Sequence, residues 1–220
     1  MTPEAATTGP ARRRAGVTAR LLAVGVASVL GAACTSGGDD GGHAESAAAG
    51  VVLTGIDVEA IRLRHPTSLF GIPSAAVRAE VVRVVDGDTV VVVFEGGRTE
   101  NVRLIGIDTP EKPGGNLPAE CFGAEASAFT SILLPPGSPV LLTGGAETRD
   151  VYDRLLAYVH RATDGLLVNI ALAREGYAAA LSIAPNTDYS AHFSTAVEVA
   201  RAENLGLWAA CGGPDTPLQE

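Results

Sequence analysis

Two valine-rich runs joined by a three-residue Asp-Gly-Asp link constrain this chain more than any other feature. They are Glu80-Val81-Val82-Arg83-Val84-Val85 and Thr89-Val90-Val91-Val92-Val93-Phe94. β-Branched runs of this length form strands, and so short a link makes them pair antiparallel. Glu95-Gly96-Gly97-Arg98 supplies a second turn, and residues 100–107 return as a third strand. A bent antiparallel meander is predicted here.

The rest of the chain alternates strands and helices. Leu117-Pro118-Ala119-Glu120 opens a predicted helix over 117–134, in which Ala124, Ala128, Ile132 and Phe129, Leu133 share helical spacing, and Pro135-Pro136-Gly137 stops it. Residues 140–143 and 155–160 read as strands, 168–175 and 188–203 as helices, and Leu205-Gly206-Leu207-Trp208 as a segment packing back. Five strands with three helices predict an α+β domain, mainly a five-stranded barrel of the OB type, over residues 79–211. Residues 212–220 read as a flexible tail.

Three charged stretches interrupt this apolar pattern: Asp86-Gly87-Asp88-Thr89, Arg103 through Asp108-Thr109-Pro110-Glu111, and Arg149-Asp150-Val151-Tyr152-Asp153-Arg154. Taken singly, Asp-Gly is a common turn, Asp108 a strand end, Glu111 a favourable acid near a helix start, and the arginines solvated cations. Together they say more. A charge at the end of an apolar strand is costly unless paired, solvated or holding a metal. Asp88 and Asp108 end neighbouring arms of the meander and can meet. Two such carboxylates with a backbone carbonyl such as that of Thr109 suit Ca2+. His43, His65, His160 and His192 have no zinc-ligand spacing. Arg103 and Arg154 offer planar forks that suit a phosphoryl group, and Tyr152 lies in the Arg154 turn, where it could touch a phosphate.

The first third of the chain reads differently. Arg12-Arg13-Arg14 and Arg20 precede an apolar run over 21–33, the pattern of a secretory signal occupying residues 1–33. Leu30-Gly31-Ala32-Ala33-Cys34 resembles a lipobox, although Gly31 stands where a large apolar residue is usual. Residues 34–50 form a polar tether with too little apolar surface to fold. The expectation is an exported protein held to the membrane by lipid on Cys34, the other reading being simple cleavage near Ala33. Residues 51–78 are a lead-in without a motif. Lipid on Cys34 leaves Cys121 and Cys211 as one disulfide pair, which export permits.

The precursor carries 16 basic and 25 acidic residues, for −9. Losing residues 1–33 removes four arginines and Glu4, leaving 12 basic against 24 acidic, or −12. Tight nucleic-acid binding usually rests on a basic footprint. This chain has none.

In order and content the three stretches resemble the staphylococcal nuclease family. Gly123-Ala124-Glu125-Ala126-Ser127, Val168-Asn169 and the closing Asn204-Leu205-Gly206-Leu207-Trp208 fit as well, so the resemblance spans about residues 79–208. It implies an OB-fold, Ca2+-dependent nuclease acting on DNA, RNA or both, and a monomer is expected. Asp88, Asp108 and the Thr109 carbonyl would hold calcium. Arg103, Glu111 and Arg154 would be catalytic, and the products would carry 3′-phosphates. Departures are specific. Val151 replaces a lysine, Asp153 replaces a glycine and could form an ion pair with Arg154, and Ser182 and Ala184, ahead of Pro185-Asn186, stand where base-facing tyrosines are usual. Base stacking contributes about 1–3 kcal/mol, so weak substrate binding is expected. The alternative is a catalytically weak or inactive binding module on the same barrel, displayed outside the membrane.

Overall fold

β1 (Val77–Val84) pairs antiparallel with β2 (Thr89–Phe94), and β2 with β3 (Thr99–Leu104), which is the expected meander. The register slips between Val81 and Arg83, and such a bulge bends a strand and increases its twist. β5 (Pro139–Arg149) and β6 (Leu155–Arg161) complete a closed barrel in the order β1-β2-β3-β6-β5. The β3–β6 seam is parallel, while the other seams are antiparallel. The computed structural model describes residues 51–65, 71–115 and 117–218. The expected signal, tether and lipidated Cys34 lie outside the described residues.

Strand periodicity sorts the side chains. Val81, Val90, Val92, Val102, Leu104, Val140 and Val159 are buried in the core, so their neighbours, Arg103 among them, point outward. α2 (Gly123–Leu133) buries Ala126, Phe129 and Leu133, and the Phe129 ring stacks on Tyr177 with centroids 3.9 Å apart. Burying a side chain of this size contributes about 1.5–3 kcal/mol. α3 (Val168–Arg174) packs against α2, β6 and α4 (Ser190–Ala202), and α5 (Leu207–Ala210) follows α4. Asn169, buried in α3, donates to the carbonyls of Ile105 and Ala157 and accepts from the Val159 N–H, tying this helix to both sides of the parallel seam.

The structure departs from the sequence reading in five places. β5 runs on to Arg149, although its second half lacks an apolar face; after a register break beyond Gly144 it rejoins β6 at Arg149, opposite Leu155. β4 (Gly106–Asp108) and β7 (Ala179–Leu181) form a separate two-stranded sheet, each too short to show periodicity. α2 begins at Gly123 instead of 117, because residues 119–121 are engaged elsewhere. Within the lead-in, α1 (Val58–Arg64) is capped by Asp57, buries Ile61, and is fastened to Glu175 by Arg64 at 2.7 Å and His65 at 3.1 Å. Beyond residue 211 the chain does not trail away: the Cys121 N–H donates to the Thr216 carbonyl and the Leu218 N–H to that of Ala119. The Cys121–Cys211 disulfide is present, with Cα atoms 6.0 Å apart.

Candidate active site

The β1–β2 turn closes on itself, with the N–H groups of Val85 and Asp86 donating to the Thr89 carbonyl. Gly87 lets it press against the end of β4, since a Cβ here would come within 2.5 Å of Thr109 Oγ1. Thr130 of α2 donates to the Gly87 carbonyl at 2.6 Å and pins the turn from the other side. The Leu104 N–H donates to the Asp88 carbonyl. Asp88 is thereby held at a fixed place, 6% exposed.

Its carboxylate is saturated with donors. Oδ2 accepts from the N–H and Oγ1 of Thr109, both at 2.9 Å, and lies 2.5 Å from Arg103 Nη1. Oδ1 accepts from Thr89 Oγ1. The other end of the Arg103 fork, Nη2, reaches the exposed Asp108 at 2.6 Å. One guanidinium therefore bridges the two acids expected to meet, with Thr109 beside them.

Arg154 arrives from the loop before β6. Parallel pairing sets Arg103 opposite Leu156, two residues beyond it. Its Nε donates to Asp150 at 2.7 Å, and its Nη1 reaches Thr89 Oγ1 at 3.4 Å. Asp153 is not its partner. That side chain has a left-handed backbone, φ 63°, and faces Arg149 instead. Tyr152 is exposed, with the Arg154 guanidinium 5.5 Å from its ring centroid. A cleft of about 390 Å³ joins these groups, lined among others by Arg103, Ile107, Asp150, Tyr152, Arg154 and Leu181.

Glu111 stands close enough to the acids to feel their charge. Burial raises its pKa above the usual carboxylate value, and the charges of Asp86, Asp88, Glu120 and Asp108 add to that. Asp86 is raised by burial and by Asp88, with Thr89, the Asp88 N–H and Arg103 pulling the other way. Asp108, half exposed at its side chain, is raised by the desolvation of its inner part and opposed by Arg103. Sequence reasoning left three contributors unassigned: Thr89, which touches both Asp88 and Arg154; Glu120, which accepts from the Glu111 N–H; and Thr130. Threonines in strands and helices carry no signal of this kind. Glu120 stood inside a predicted helix.

The donors here suit a hard cation. All are oxygens, and the negative charge of Asp88 raises the pKa of Asp86, Asp108 and Glu111 alike, beside the single guanidinium of Arg103. A divalent cation relieves such an excess. Among the described residues no three acidic, histidine or cysteine side chains converge as a ready ligand set, so two carboxylates, a backbone carbonyl and water are what the site offers.

Residues 101–210 match the staphylococcal nuclease homologue family. The thermonuclease of Staphylococcus intermedius is 39% identical over 138 residues, covering 61% of this chain and 80% of that protein. The thermonuclease of Staphylococcus hyicus is 37% identical over 130 residues, 59% of this chain and 75% of that protein. Endonuclease YncB of Bacillus subtilis is 35% identical over 131 residues, 59% of this chain and 61% of that protein. Similarity at this level over most of the barrel, on a closed five-stranded fold, assigns the family: the chain belongs to the staphylococcal nuclease homologues.

Proposed function

We propose that the protein is a Ca2+-dependent nuclease that cleaves DNA, RNA or both to 3′-phosphate products. The observation that carries the reading is that Arg103, which bridges Asp88 and Asp108, lines the same cleft as Arg154. The relatives named thermonuclease and endonuclease support it.

Asp88, Asp108 and the Thr109 carbonyl would hold the cation. Bound there, Ca2+ supplies positive charge that polarises a phosphate oxygen. Arg103 and Arg154 each present guanidinium nitrogens to the phosphodiester and offset the charge that grows on its oxygens as the bond to the 5′-oxygen breaks. Asp150 orients Arg154 by holding Nε, and the Tyr152 hydroxyl contributes to phosphate binding. Glu111 accepts a proton from the attacking water at its carboxylate. A carboxyl raised by burial and neighbouring acids is a stronger base than an exposed one, which suits that role.

A binding module remains the second reading, favoured by the absence of base-facing tyrosines at 182 and 184 and by the acidic balance. The two separate on one assay: purified protein is incubated with single-stranded DNA or RNA, with Ca2+ or chelator, beside Glu111→Ala. Ca2+-dependent cleavage leaving 3′-phosphate ends and lost in the variant upholds the nuclease. Absence of cleavage by folded, Ca2+-loaded protein overturns it. Export, with a lipid anchor on Cys34 and action as a monomer outside the membrane, belongs to the same proposal. Fatty-acid labelling that survives Cys34→Ala would refute the anchor.

A further inference from the structure

Glu111 does not stand alone on its loop. Its N–H donates to Glu120 Oε2 at 3.0 Å, and the Glu120 N–H donates back to the Glu111 carbonyl at 2.9 Å. Gly123 closes the same corner, since a Cβ there would lie 2.1 Å from the Glu111 carbonyl oxygen. The loop carrying Glu111 is therefore packed directly on the segment that carries Glu120.

That segment has an outer clamp. Glu120 bridges antiparallel to Pro217, between hydrogen bonds from Cys121 to Thr216 and from Leu218 to Ala119. The Cys121–Cys211 disulfide fastens the next residue to the end of α5. Thr216 Oγ1 lies 3.2–3.4 Å from the carbonyls of Cys211, Gly213 and Pro214, closing the 211–216 turn upon itself. The strap also brings Asp215 near enough for its charge to raise the pKa of Asp108.

We propose that Glu120 is a positioning residue for Glu111, and that the Cys121–Cys211 disulfide and the 216–218 strap hold Glu120 in place. The inference rests on the nuclease reading for its catalytic consequence, but not for its structural one. Glu120 acts through a hydrogen bond to a backbone N–H, so an amide oxygen can replace its carboxylate. The disulfide ties the C-terminal helix to the loop of the reacting carboxylate, 90 residues away in sequence.

Two readouts on the full chain test this: amide hydrogen exchange at Glu111 by NMR, and kcat with KM on single-stranded DNA at saturating Ca2+. Glu120→Ala should speed exchange at Glu111 about tenfold or more through loss of a charge-assisted bond. It should lower kcat about 10–100-fold through misplacement, with KM changed less than about threefold. Glu120→Gln should recover most of both. The Cys121→Ala/Cys211→Ala pair should shift both in the same direction by a smaller factor. Unchanged exchange in folded Glu120→Ala overturns the proposal, as does failure of glutamine to rescue. Faster exchange in a chain whose parent shows no cleavage upholds the strap and overturns the nuclease reading alone.

Discussion

Asp150 holds Arg154 by two of its nitrogens, accepting from the backbone N–H at 2.9 Å and from Nε at 2.7 Å. The terminal nitrogens are left toward the cleft and Thr89. An arginine gripped at Nε loses little freedom when it binds phosphate, so Asp150 works as an orienting partner. Asp150→Ala should lower kcat/KM about tenfold and Arg154→Lys about 100-fold, read by steady-state cleavage of a defined oligonucleotide. An Asp150→Ala enzyme faster than the parent would show instead that the pair competes with substrate.

Asp88 and Asp108 share Arg103 but differ in burial, which separates their roles. Removing the buried Asp88 strands the Thr109 donors and one arm of Arg103. Asp88→Ala should therefore cost about 1–3 kcal/mol in urea unfolding, and it should abolish calorimetric Ca2+ binding. Asp108→Ala, at an exposed site, should weaken Ca2+ binding while leaving the unfolding midpoint nearly unchanged.

His160 is fully buried, and neither ring nitrogen makes a well-formed hydrogen bond among the described residues, although the Gly165 backbone lies near its ring. Burial lowers its pKa, with the Gly165 backbone opposing. The unfolded chain then takes up the proton first. Stability from this group is present above about pH 6.5 and falls as pH drops toward the lower folded value, by at most ~1.4 kcal/mol per pH unit. The His160→Leu variant should be more stable at neutral pH by about 1 kcal/mol. Its advantage should widen between pH 7 and 5, measured as the difference from parent so that the carboxylates cancel.

The disulfide closes a loop of 90 residues. Cys121→Ala/Cys211→Ala should lower unfolding free energy by about 4.6 kcal/mol in the chain-entropy treatment. The same loss should appear when the parent is unfolded in the presence of reductant.

Ser182 is exposed at the end of β7, beside the cleft-lining Leu181 and Ile183. Ser182→Tyr offers a ring for a substrate base and should lower KM about fivefold or more, with kcat little altered. An unchanged KM would mean that bases do not lie along this edge.

The meander and the barrel class were legible because strand patterns rest on short-range information, whereas the roles expected of the six candidate site residues came from the family resemblance. β-Branched runs name the strands, a three-residue link forces antiparallel pairing, and charges that interrupt apolar strands name themselves. The Asp153–Arg154 pairing was misjudged for a local reason as well. Adjacent residues rarely face one another, and the left-handed backbone at Asp153 turns its carboxylate to Arg149. The start of α2 at Gly123, and not at 117, follows from the strap that takes residues 119–121.

What the sequence determined alone was the place of the five barrel strands, the antiparallel pairing of the meander near Asp88, and which side chains carry charge. Only the tertiary structure decided which charges meet. Arg154 reaches Arg103's neighbourhood through the parallel β3–β6 seam, a pairing between segments about 50 residues apart that no turn dictates. Glu111 is fixed by Glu120, and Glu120 by a disulfide and a strap from the end of the chain. Those contacts form because closing the barrel brings distant backbone groups together, where their donors and acceptors must find partners.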